Sequence, residues 1–131
     1  MTPIALTTTD RPLRRVLIAD AAVGFLSAVG MLLSTALYAE FTGLPPELLR
    51  WAAVILFGYV VALAIAAVLR PIRRRLVVGI IVANGAWVLA SLAVLALVPM
   101  ATIGAAYVAG QALVVVGFGV AEAVTLRRVQ D

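Results

Sequence analysis

The chain has no histidine, no cysteine and no lysine, and only 12% of its 131 residues are charged. Without imidazole or thiol groups, soft-metal and imidazole sites, haem ligation, disulfides and His- or Cys-based nucleophilic catalysis are excluded. Phosphate-binding glycine loops, a Gly-x-Ser-x-Gly turn and dense acidic metal motifs are also missing from the sequence. No cofactor is therefore expected, and an enzyme of this sequence would have to work with Asp, Glu, Tyr or Ser alone. What is abundant is apolar surface. A 65% apolar composition and a mean hydropathy of +1.18 exceed what a water-soluble domain of this length could carry.

The apolar residues fall into long runs. Val16 to Tyr38 gives about 23 residues broken only by Asp20, enough at ~1.5 Å per residue to cross a hydrocarbon core of roughly 30 Å. A secretory leader would have a shorter apolar core, about 7–15 residues, so positions 16–38 are read as a first span after a polar tail at 1–15. Gly43, Pro45, Pro46 and Glu47 mark a short turn, followed by a second span at 51–69 that opens on Trp51, an interfacial residue type. Arg70-Pro71-Ile72-Arg73-Arg74-Arg75 ends it. Leu76 to Ala121 is an uncharged run of about 46 residues, twice the length one span can use, so it must turn back. Pro99 is the plausible corner, giving spans at 76–98 and 100–124 and a polar tail at 125–131. The expected fold is an all-α integral membrane antiparallel four-helix bundle, left-handed and forming a single domain.

Nine of the ten arginines fall on one side of such a bundle and only Arg50 on the other. This positive-inside bias places both termini and the middle loop in the cytoplasm. Arg14, Arg15, Arg70, Arg73, Arg74, Arg75, Arg127 and Arg128 are expected to meet anionic lipid headgroups; the cluster lacks the aromatic interleaving of a nucleic-acid site.

Polar groups inside a span are costly unless they face another helix, so their spacing marks the inward faces. In the first span, Asp20, Gly24, Ser27, Met31, Ser34, Thr35 and Tyr38 recur at steps of three or four, while Phe25, Leu26, Leu32 and Leu33 point elsewhere. Asn84, Trp87 and Ser91 repeat the design in the third span, and Gly104, Tyr107, Gln111, Phe118 and Glu122 in the fourth. The second span offers only Gly58, Tyr59, Ala62 and Ala66. Small residues at Gly24/Ala28, Gly58/Ala62 and Gly110/Gly117 suit close helix packing, within one subunit or between subunits. Asn84 is expected to bond Ser27, Ser91 or a backbone carbonyl, and Asp20 and Glu122 to pair with Arg14, Arg15, Arg73 or Arg127 at the bundle mouth. Asp20, Ser27, Asn84, Trp87, Ser91, Tyr107, Gln111 and Glu122 together form the candidate intramembrane polar site. The alternative role for its two acids is a proton-titrating pair controlling a cavity.

Leu17-Ile18-Ala19-Asp20-Ala21, Gly43-Leu44-Pro45-Pro46, Asn84-Gly85-Ala86-Trp87-Val88-Leu89-Ala90-Ser91 and Gly110-Gln111-Ala112-Leu113 resemble a group of small bacterial four-span membrane proteins. The resemblance runs from about Arg14 to Glu122 and implies the bacterial inner membrane, without supplying an activity. Size and span count are also similar to DoxX-like proteins and small multidrug exporters. Those exporters carry a carboxylate deep in the first helix, whereas Asp20 is expected near its cytoplasmic end. The leading functional expectation is a non-enzymatic accessory or scaffold subunit acting through helix and lipid contacts, with a homodimer or larger membrane complex as partner. The alternative is a small transporter, channel or binder of a lipid-like ligand with a midplane polar pocket.

Overall fold

The computed structural model describes residues 10–130; residues 1–9 of the expected polar tail at 1–15, and Asp131 of that at 125–131, lie outside them. Five helices follow one another: α1 (Asp10–Leu33), α2 (Thr35–Thr42), α3 (Pro46–Val68), α4 (Arg74–Leu97) and α5 (Thr102–Gln130). The protein is all-α, and four of these helices are long and apolar enough to cross a membrane.

The helix ends differ from the expected spans for physical reasons. α1 begins at Asp10 rather than at 16, because Asp10 complements the positive helix end and Pro12 falls where no intrahelical N–H is needed. Leu13 and Leu17 are fully buried, so the basic segment is helix and not solvated tail. α2 continues α1 past a bend at Ser34, whose N–H still reaches the Gly30 carbonyl at 3.0 Å. The Thr35 hydroxyl bonds back to the Met31 and Leu32 carbonyls there, a known source of helix bending. Gly43 ends α2 in the left-handed conformation (φ 72°) with its N–H on the Ala39 carbonyl. Pro46 occupies the first turn of α3, with Glu47 beside it. α5 runs beyond the expected end at 124, since Leu126 is buried and Arg127 and Arg128 suit the negative helix end.

α1 packs along α3 and α4 along α5, and these two pairs meet mainly where α1 touches α5. α3 and α4 approach each other sparingly, and α1–α4 and α3–α5 lie on the diagonals. At the arginine-rich end one apolar core gathers Leu13, Leu17, Leu63, Val77, Ile80 and Leu126. At the other end a second core holds Met31, Leu44, Leu49, Ala53 and Val108, flanked by Val94, Leu95 and Val98. Here the two outer turns are tied together, the Ala101 N–H donating to the Thr42 carbonyl at 3.0 Å. Leu26, Leu33, Leu89, Leu97 and Leu113 are about 70–80% exposed on the outer surface, which suits hydrocarbon and not water. The chain is a small multi-pass membrane protein.

The small-residue faces separate on inspection. Gly24 and Ala28 are buried, and a side chain on Gly24 would meet Val60 of α3. Gly58, Gly110 and Gly117 face open space and contribute nothing to packing within the subunit.

Candidate functional site

Between the two apolar cores lies a polar layer to which every long helix contributes one residue. Tyr59 Oη of α3 lies 2.7 Å from Asp20 Oδ2 of α1 and 2.6 Å from Asn84 Oδ1 of α4. Asn84 Nδ2 donates to Glu122 Oε2 of α5 at 3.0 Å. The Glu122 carboxyl also lies beside that of Asp20. Asp20 and Asn84 are 6% and 5% exposed and Glu122 is fully buried. The four residues thus form a chain of hydrogen bonds across the seam between the helix pairs.

These positions correct four expectations. Neither acid pairs with an arginine: among the described residues the ion pairs are Arg14 with Asp10 at 3.8 Å and Arg50 with Glu47 at 2.7 Å. Arg14 instead turns inward and donates to the Ala67 carbonyl, so it is not one of the exposed arginines free for lipid; Arg15, Arg70, Arg73, Arg74, Arg75, Arg127 and Arg128 are exposed. Asn84 bonds Tyr59 and Glu122 rather than Ser27 or Ser91. The acids are also deeper than a bundle mouth. Because α1 starts at Asp10 and α4 at Arg74, Asp20 and Asn84 each lie about 15 Å along their helices and share one level.

A second polar group lies toward the other end. Trp87 Nε1 donates to Gln111 Oε1 at 2.7 Å, and Gln111 Nε2 donates to Ser91 Oγ at 2.8 Å and to the Val108 carbonyl. Ser91 Oγ in turn donates to the Trp87 carbonyl. Every polar atom of the Gln111 amide is engaged, which fixes the Trp87 ring against α5.

The two groups border one cavity of about 310 Å³, walled by all four long helices. Of the sequence-derived candidates, Asp20, Ser27, Asn84, Trp87, Tyr107 and Gln111 line it; Ser91 and Glu122 stand behind them as partners of Gln111 and Asn84. Tyr107 packs edge-on against Tyr38, with ring centres 5.9 Å apart. Tyr59 also lines the cavity, although the sequence placed it only among small residues on the second span. The signal was present: a tyrosine in mid-span must find an acceptor for its hydroxyl, and the neighbouring spans offered acids and an amide. No cluster of acidic residues able to hold a metal ion is found among the described residues. No family model, curated protein or solved structure matches this chain.

Proposed function

We propose that this protein is a small carrier or binder of a small molecule in the membrane, held in the cavity between its helix pairs. The cavity carries this reading. Its roughly 310 Å³ falls within the size range of ligand sites, and its wall is mostly apolar with a few convergent polar groups. A scaffold subunit acts through its outer faces and gains nothing from an internal space beside a buried polar chain, so the cavity favours the ligand-binding alternative. Because the chain has no native cysteine, single thiols test this directly. In liposomes, the Ser27→Cys thiol on the cavity wall should react with methyl methanethiosulfonate within minutes, while the Ala28→Cys thiol, at a fully buried position, should not. Equal inertness of the two would leave no space open to a solute and return the protein to the scaffold reading.

For orientation we propose a cytoplasmic location for the arginine-rich end of a bacterial inner-membrane protein, with anionic headgroups around Arg70 to Arg75. The support is the arginine imbalance between the two ends. On intact cells, an impermeant maleimide should label a cysteine at the exposed outer-turn position Ala101 and spare one at Gln130. The reverse pattern would invert the topology.

A further inference from the structure

Outside the cavity, the seam between α1 and α5 holds a shallow groove of about 430 Å³ on the outer surface. Small side chains make it: Ala19 on α1 faces Gly117 and Ala121 on α5, and the half-buried Phe118 lies along its floor. Phe118 and Val114 line the inner cavity as well, so they form the wall between the two spaces. An occupant of the groove is therefore separate from any ligand of the cavity, and neither depends on the other.

The groove has a charged end. Arg15 lines it from the α1 side and is exposed. On the α5 side, the exposed Arg128 comes seven residues after Ala121, about 20° short of two full turns, and so returns to the same face. The two arginines are also level with each other. The carboxyls of Asp20 and Glu122 adjoin; Arg15 lies five residues outside Asp20 and Arg128 six outside Glu122, which puts them about 7.5 and 9 Å beyond the polar layer toward the arginine-rich end. Neither has a carboxylate partner among the described residues.

From this juxtaposition we infer that the groove is a site for one anionic phospholipid, its phosphate held between Arg15 and Arg128 and one acyl chain lying over Ala19, Gly117 and Ala121. Each guanidinium offers paired N–H donors that fit phosphate oxygens, and two positive charges without acid partners favour a headgroup of net negative charge over a zwitterionic one. The direction also fits. The arginines stand at the end where headgroups lie, and the groove runs from them toward the hydrocarbon. A helix of a second copy is the competing occupant for a face of small residues. Copies in one membrane share an orientation, however, so a partner would bring like charge to the level of Arg15 and Arg128.

The test uses the full chain in detergent and native mass spectrometry, which counts bound lipids. Wild type should retain phosphatidylglycerol with about tenfold or more preference over phosphatidylcholine of the same acyl chains. Arg15→Gln combined with Arg128→Gln should erase that preference. Arg74→Gln combined with Arg75→Gln removes the same charge from exposed positions elsewhere at this end, and should change the preference by less than about threefold. Gly117→Leu, at a position facing open space, fills the groove and should weaken phosphatidylglycerol retention about fivefold with both arginines intact.

Equal losses in the two arginine pairs would reduce the effect to overall charge and overturn the site, and unchanged retention in Gly117→Leu would remove the acyl chain from the groove. Conversion of a wild-type dimer to monomer by Gly117→Leu, with no loss of lipid, would give the groove to a second copy. Should a variant fail to assemble, wild type alone decides. Phosphatidylglycerol with a diazirine in its acyl chain, irradiated in liposomes, should mark positions 15–19 and 114–121 above the exposed faces of α3 and α4. Even marking of all four long helices would overturn the inference.

Discussion

Gly104→Val should remove most of the folded protein, with a loss of stability of about 3 kcal/mol or more. A side-chain carbon at position 104 would overlap the Thr42 carbonyl oxygen and crowd the Thr42 backbone. The obstacle is main chain, so no rotamer can avoid it. The same oxygen accepts the Ala101 N–H, and a side chain on Gly43 would meet the Ala101 backbone of the opposite turn. Relief therefore means parting the two outer turns and opening the apolar core beneath them. Gly110→Val is the matched control, because that position faces open space and should change stability by less than about 0.5 kcal/mol. Unfolding in mixed micelles followed by helical signal compares the two. Equal behaviour would show that the turns are not in contact.

Asn84→Leu should be the second most damaging change, at about 2–3 kcal/mol. Asn84 bonds both a helix of its own pair, through Glu122 on α5, and a helix of the other pair, through Tyr59 on α3. Leucine leaves the fully buried Glu122 with no donor from α4 and deprives Tyr59 of one neighbour. Ser91→Ala supplies the comparison. It removes an acceptor from Gln111, yet the Gln111 amide keeps the Val108 carbonyl, and an ordinary bond between membrane helices contributes only about 0.6 kcal/mol. Similar losses in the two variants, measured in the same micelles, would deny the polar chain its role in joining the helix pairs.

Much of this architecture is readable from residue order alone. Apolar run lengths gave four long helices, and Pro99 and the Gly43-Leu44-Pro45-Pro46 turn marked corners that the structure also has. The steps of three and four from Asp20 to Tyr38 named the inward face of α1 and α2, where Asp20, Gly24, Met31 and Thr35 are buried and Leu26 and Leu33 are not. What was hidden is which inward faces oppose one another. Distance from the nearest arginine does not give depth here, because α1 and α5 extend through their basic segments. Asp20 therefore looked shallower than Asn84, and an arginine partner looked closer than a tyrosine. Tyr59 is harder to read for a different reason: a single hydroxyl on an apolar helix carries no periodicity, so the sequence signals that it needs an acceptor but not which one.

The two apolar cores act as stoppers above and below the polar layer. Each draws side chains from all four long helices, so travel along the bundle axis in either direction requires all four to separate at once. The sparse α3–α4 seam sets no such condition. The least costly way in is consequently sideways, and a molecule arriving by that route has first dissolved in the surrounding bilayer. Occupancy of the cavity then follows the concentration of that molecule among the lipids rather than in the water on either side. On the carrier reading proposed above, the protein would then sample the contents of the membrane it is embedded in.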